Sequence, residues 1–161
     1  MSAKNYYTVL TIGHSGLELP RFIDRLQRRG IDLVVDVRSY PYSTFAEWFN
    51  RDRIENSLRR QGIEYVFMGS QLGALTEDGR FDYIRREKDH AYQTGISRLL
   101  EYAQRYHVAV MSSEGDYRLS HRHHLIAQTL LRLSVNVVHI TEDDADENAT
   151  ADLFHSVKEE A

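Results

Sequence analysis

The chain contains no cysteine, which excludes disulfides, thiolate nucleophiles and cysteine-ligated metals and fits a reducing compartment. It also lacks any apolar run near the ~18 residues that a membrane helix needs. Its opening stretch, MSAKNYYTVLTIGHS, has only a short apolar segment and no small-residue cleavage pattern behind it. The expectation is a soluble, cytoplasmic protein with no membrane partner. Proline is scarce as well: Pro20 suits a first helical turn and Pro41 stiffens a loop. A strong excess of one charge is missing too, with a net of −4.

What is present is globular. With 42% hydrophobic and 27% charged residues, the chain can bury a core, and 161 residues fit one domain. The net charge hides an asymmetry. From Thr141 onward the sequence holds eight acids and one lysine, leaving 19 bases against 16 acids before it. The body is mildly basic, compatible with a nucleotide or nucleic acid but far from a dedicated polyanion binder. The expectation is one domain over residues 1–140 and an acidic, mobile tail over 141–161, with a short amphipathic helix from Thr150.

Hydrophobic periodicity alternates between two kinds of segment. Runs at Tyr7–Ile12, Ile31–Val37, Ile63–Met68, His107–Met111 and Val135–Ile140 read as strands. Between them, helical spacing appears over Leu17–Arg29, Phe45–Arg60, Phe81–Tyr106 with a break near Gly95, and Ser120–Leu133. Gly69–Gly79 reads as a loop. The likeness of LQRRGIDLVV to LRRQGIEYVF is one αβ junction solved twice, a basic helix end followed by glycine and a strand. Alternation of this kind implies right-handed crossovers, so the expected fold is α/β: three layers, with a mostly parallel five-stranded sheet and helices on both faces.

Ligands of open α/β sheets bind beyond the carboxyl ends of the strands, so the segments that follow the strands locate the site. The first strand is followed by GHSG, where His14 offers acid/base or anion-donor chemistry, or else Ser15 caps the next helix. After the second, Asp36 and Arg38 share a face of the strand end, as a structural ion pair or as a fork oriented toward phosphate. Tyr40, Tyr42 and Phe45 surround them, either to stack a base or to pack a core. The fourth is followed by MSSEGDYRLSHR, with Glu114 three residues past the strand and Arg122 at a helix start. A cation there opposes the dipole unless an anion binds or Glu114 or Asp116 pairs with it. His121, His123 and His124 crowd one turn, but only His121 and His124 fall near one face and no other ligand spacing supports a metal.

Five pieces carry a family resemblance: TIGHS at 11–15, LVVDVRSYPYS at 33–43, GIEYVFMGSQLGAL at 62–75, VAVMSSE at 108–114 and SHRHHLIA at 120–127. In order and spacing they resemble domain-of-unknown-function family 488, α/β proteins of bacteria and archaea. The resemblance implies an α/β fold and a site shared by these loops; it implies no reaction. The family commonly has cysteine where this chain has Ser112 and Ser120, and a double glycine where Gly73-Ala74 stands. Serine keeps the hydrogen bonding but cannot replace a low-pKa thiolate. The DVR after a strand is also similar to rhodanese-like domains, whose active-site cysteine is missing here.

The functional expectation is a hydrolase-like enzyme, or a transferase, acting on a phosphate-bearing nucleotide or nucleic acid at the carboxyl edge of the sheet. Glu114, His14 and Asp36 take catalytic roles, with Ser15, Arg38, Tyr40, Ser43, Gly73, Ser112, Ser120, His121 and Arg122 on the substrate. No cofactor is expected. The alternatives are a non-catalytic nucleotide-binding or protein-interaction module, and metal-dependent hydrolysis through His14, Asp36, Glu114 and His121.

Overall fold

A computed structural model of the chain describes residues 7–152. Strand β1, Thr8–Gly13, leads through α1, Leu19–Arg28, to β2, Leu33–Asp36. A 3₁₀ turn, Glu47–Phe49, and α2, Arg51–Arg60, carry the chain to β3, Glu64–Phe67. Three helices follow, α3 at Gly69–Leu72, α4 at Tyr83–Lys88 and α5 at His90–Arg105, before β4, Val108–Ser112. A 3₁₀ turn, Tyr117–Leu119, and a π-helical segment, Arg122–Ala127, run into α6, Gln128–Arg132. Strands β5, Asn136–Ile140, and β6, Asp146–Asn148, complete the sheet.

The strand order is β3-β2-β4-β1-β5-β6. The first five strands are parallel, and β6 runs antiparallel to β5. Every residue of β2 and β4 is buried, as the continuous apolar runs require of central parallel strands. The side-chain period of two splits the core. Val9, Leu33, Val35, Val108 and Val110 pack with Leu72, Tyr92, Ile96, Leu99 and Leu125 on one face. Ile12, Val34, Ala109 and Met111 pack with Phe22, Leu26, Phe49, Ile54 and Leu58 on the other. Two helical layers thus enclose the sheet.

The expected α/β architecture holds, with corrections. The sheet has six strands, because Asp146–Asn148 of the acidic segment pairs with β5. That segment was expected to be mobile from Thr141. Instead the basic end of α1 and the residue that caps it hold it: Arg25 donates to the carbonyls of Thr141 and Glu142, and Arg29 pairs with Asp144 and Asp146 at 2.8 and 2.7 Å. The amphipathic helix expected from Thr150 falls, beyond Asp152, outside the described residues. The long helix expected over Phe81–Tyr106 breaks at Asp89, whose backbone is extended, rather than at Gly95, which lies inside α5 against Gln71 and Leu72 of α3. The loop expected over Gly69–Gly79 begins with α3. Among the described residues no helix is long and apolar enough to cross a membrane.

Candidate functional site

Two buried polar networks flank the carboxyl edge of the sheet, one on each face, and the alternation of strand side chains assigns residues to them. Asp36 ends β2 in register with Met111, on the face of α1 and α2. Thr11 is in register with Val110, on the opposite face.

In the first network Arg38 grips Asp36 with a fork, Nε to Oδ1 at 2.9 Å and Nη2 to Oδ2 at 2.8 Å. The Arg38 backbone N–H and the Tyr65 hydroxyl add bonds of 3.1 and 2.6 Å to the same carboxylate. With four donors on two oxygens, Asp36 is saturated and fully buried. Burial and the Asp36 carboxylate raise the Tyr65 phenol well above its ordinary range, so it stays a donor. Arg38 Nη1 donates to His14 Nε2 at 3.2 Å. That fixes the imidazole as the neutral tautomer whose Nδ1–H donates to the Ser15 carbonyl at 2.9 Å. The ring stacks on Phe49 with centroids 4.5 Å apart, and burial holds it below the usual imidazole range. Arg38 uses three of its five side-chain N–H groups in these bonds, leaving two without an acceptor among the described residues.

The second network centres on Arg122, which is fully buried. Its Nε donates to Ser112 Oγ at 3.0 Å and its Nη1 to Thr11 Oγ1 at 2.5 Å. Nη2 donates to the carbonyls of Glu114 and Gly115 at 3.2 and 3.0 Å. Ser120 Oγ donates to Ser112 Oγ at 3.0 Å and accepts the Arg122 backbone N–H at 3.1 Å. Among the described residues no carboxylate pairs with this guanidinium, and burial pushes it down to about 10. Thr11 continues the chain to His139 Nδ1 at 2.6 Å, and His139 Nε2 to His123 Nδ1 at 3.0 Å. Burial first, then Arg122, pushes His139 down to about 3.

Glu114 lies between the two networks. Gly13 lets the loop fold across the end of β1, since a Cβ there would sit 1.6 Å from the Glu114 carbonyl oxygen. The fold-back is zipped by Ser15 N–H on the Ser113 carbonyl at 2.8 Å. The Glu114 side chain is exposed. Its charge acts on His14, His121, Arg122 and Tyr83, so these groups lie near it. Burial first and Glu114 second raise the Tyr83 phenol. His121 Nε2–H is shared between the carbonyls of Val37 and Leu72, both at 3.1 Å, and burial holds the ring neutral.

The predicted residues thus divide. His14, Asp36 and Arg38 form one cluster; Ser112, Ser120 and Arg122 form another; Glu114 sits on the loop that Arg122 holds, and His121 bonds the carbonyls of Val37 and Leu72. Ser15 has a left-handed φ of 46° and lines a separate hollow of about 330 Å³ with Arg21, Arg25 and Glu142. It does not cap α1, which starts from Glu18 without a side-chain cap. Ser43 Oγ accepts from Phe45 N–H within its own turn. Gly73 serves packing: a Cβ would meet Gly69 O and Ser39 Oγ at 2.4 Å each. Tyr40, Tyr42 and Phe45 are no core; they are 75, 43 and 93% exposed and border a hollow of about 470 Å³. Sequence reasoning missed Tyr65, Tyr83, Phe49, Thr11 and His139. The last two carried a signal, as lone polar residues at buried positions in apolar strands. It also missed Arg86, whose guanidinium caps α3 through the carbonyls of Ser70, Gln71 and Gly73.

The buried imidazoles make the fold acid-labile. His14, His121 and His139 have folded pKa values below the unfolded value, so their stabilising contribution is complete above about pH 6.5 and is lost as pH falls through the folded values. Between pH 6.5 and 4, His139 alone should remove about 3 kcal/mol. Urea midpoints measured across that range should fall steeply, and less steeply in His139→Asn. A flat profile would contradict the neutral, buried assignment.

The model of a family described as Domain of unknown function DUF488 matches residues 18–129. No curated protein and no solved structure matches the chain.

Proposed function

This chain belongs to the DUF488 family, and from its cleft we propose that it is a hydrolase of a phosphate-bearing nucleotide or nucleic acid. The observation that carries the reading is Glu114: an exposed carboxylate at the carboxyl edge of the sheet, whose charge reaches two buried imidazoles and a phenol. A carboxylate in that position serves as general base. It takes a proton from water as the water oxygen bonds to phosphorus and the bond to the leaving oxygen breaks. Tyr83, held protonated by burial and the Glu114 charge, would donate to the leaving group. The two uncommitted N–H groups of Arg38 supply donors to the phosphate. Tyr40 and Tyr42, two and four residues beyond Arg38, offer exposed rings 5.5 Å apart for a base. Asp36 and His14 then act by positioning Arg38, and Arg122 by holding the Glu114 loop.

One observation favours the second reading, a binding module without turnover. Most N–H groups of Arg38 and Arg122 are already spent on protein acceptors, which leaves less charge to stabilise a transition state. Thermal-shift titration with adenine and guanine mono-, di- and triphosphates and short single-stranded oligonucleotides, followed by product analysis, separates the two. Stabilisation with a hydrolysed product supports the enzyme, and stabilisation without product supports the module. In either case Tyr40→Ala or Tyr42→Ala should weaken binding by about 1–3 kcal/mol, roughly 5- to 150-fold. No shift with any of these probes would overturn both readings.

A further inference from the structure

A second cluster of ligating side chains lies outside the cleft, where the π-helical segment meets the end of the acidic segment. Expected helical spacing put His121 and His124 near one face. The segment from Arg122 to Ala127 is π-helical instead, and the two rings that come together are those of the consecutive His123 and His124, 4.9 Å apart. Asp152, beyond β6, closes on them. A ring nitrogen from each histidine and a carboxylate oxygen lie within 4.8 Å of one another.

We propose that His123, His124 and Asp152 bind one divalent first-row transition ion, with Zn²⁺ the best match to two imidazoles and a carboxylate. Three features of the geometry carry this. First, His124 Nε2–H donates to the Arg118 carbonyl at 2.7 Å, which turns Nδ1 toward Asp152 Oδ2, 2.5 Å away. An imidazole nitrogen and a carboxylate oxygen therefore face one another, as two ligands of one ion do. Second, His123 has Nδ1 held by His139 at 3.0 Å, which leaves Nε2 as its open nitrogen. Both histidines therefore have the non-ligating nitrogen anchored already, by a backbone carbonyl in one case and an imidazole in the other. Such outer partners orient ligating imidazoles at metal sites. In the metal-bound tautomer, His123 Nδ1–H donates to His139 Nε2, and His139 Nδ1–H to Thr11 Oγ1.

Third, the separations suit one ion. Tetrahedral bonds of about 2.0–2.2 Å set ligand atoms roughly 3.3–3.6 Å apart, so the widest pair closes by just over ~1 Å and the His124–Asp152 pair opens by about 1 Å, both within reach of side-chain rotation. His123 is buried and its two partners half-buried, so the site is a recess rather than a surface patch. Three protein ligands leave a fourth position for water or a substrate group. The chain His123–His139–Thr11–Arg122 then runs from the ion to the carbonyl of Glu114.

The test uses the full-length, tag-free chain stripped with EDTA and titrated with ZnCl₂ by calorimetry. Co²⁺ absorption reports the ligand field. One ion per chain is expected, with MgCl₂ giving no comparable heat. His123→Gln, His124→Gln and Asp152→Asn should each weaken Zn²⁺ binding at least about tenfold, while the exposed histidine variants His90→Gln and His107→Gln bind as the parent does. Circular dichroism checks folding; should His123→Gln unfold, His124→Gln and Asp152→Asn carry the comparison. Absence of Zn²⁺ binding, or binding indifferent to these three changes, overturns the proposal. Loss of binding in Glu114→Gln or His121→Gln, with the three variants unaffected, also overturns it and places the ion in the cleft.

Discussion

Glu114→Gln should fold as the parent does and lose hydrolysis of a phosphate-bearing nucleotide by roughly 10²–10⁴-fold, the usual worth of a positioned acid or base. The fold is expected to tolerate the change because the carboxylate is exposed, and its loop is held through its backbone: the Glu114 carbonyl receives Arg122 Nη2. Surface changes that break no such contact usually stay within about 0.5 kcal/mol. Turnover is sensitive because no neighbour can take over as base. The four hydrogen bonds to Asp36 occupy both of its oxygens. His14 Nε2 is covered by Arg38 Nη1, and His121 Nε2–H faces two carbonyls. Nucleotide affinity should change little, since glutamine keeps the shape and removes only the charge. The comparison is kcat and Kd measured together. Equal losses in both would make Glu114 a binding residue and transfer the basic role elsewhere.

Arg122→Met should cost about 3–5 kcal/mol of folding stability, the range for disrupting a buried charged network. Four acceptors lose their donor at once: Ser112 Oγ, Thr11 Oγ1 and the carbonyls of Glu114 and Gly115. Methionine fills most of the volume, so the loss measures the hydrogen bonds rather than a cavity. Arg122→Lys separates structure from ligand binding. One ammonium cannot reach acceptors spread over two strands and a loop as a planar fork does, so lysine should also destabilise, though it keeps the charge. Urea denaturation gives the answer. A stable Arg122→Lys that loses only nucleotide affinity would make Arg122 a phosphate clamp and not a strut.

The α/β order was legible because buried parallel strands leave continuous apolar runs and helices leave three-and-four spacing. Segments carrying little hydrophobic signal were not. Asp146–Asn148 is wholly exposed, and its place in the sheet depends on β5 and on the arginines of α1. Helix α3 has four residues and depends on the close approach of Gly73 to Ser39, a contact no local pattern announces. The rim loops were found because strand ends can be located, and Asp36 with Arg38 because two residues along a strand share a face. How those groups are used was hidden. Arg38 offers an anion only what Asp36 and His14 leave over, and Arg122 answers the helix dipole with carbonyls rather than an anion. The pairing of His123 with His124 depends on the π-helical spacing.

The central claim is that one cleft, bounded by Arg38, Tyr83, Glu114 and His121, holds a nucleotide with its phosphate at the reacting position. Crystals of Glu114→Gln soaked with the nucleotide that gives the largest thermal shift test it most directly. The phosphate is expected within hydrogen-bond distance of Arg38, a base against Tyr40 or Tyr42, and residue 114 beside the bond to be broken. A nucleotide bound in solution but found elsewhere on the molecule, with this cleft filled only by water, would contradict it.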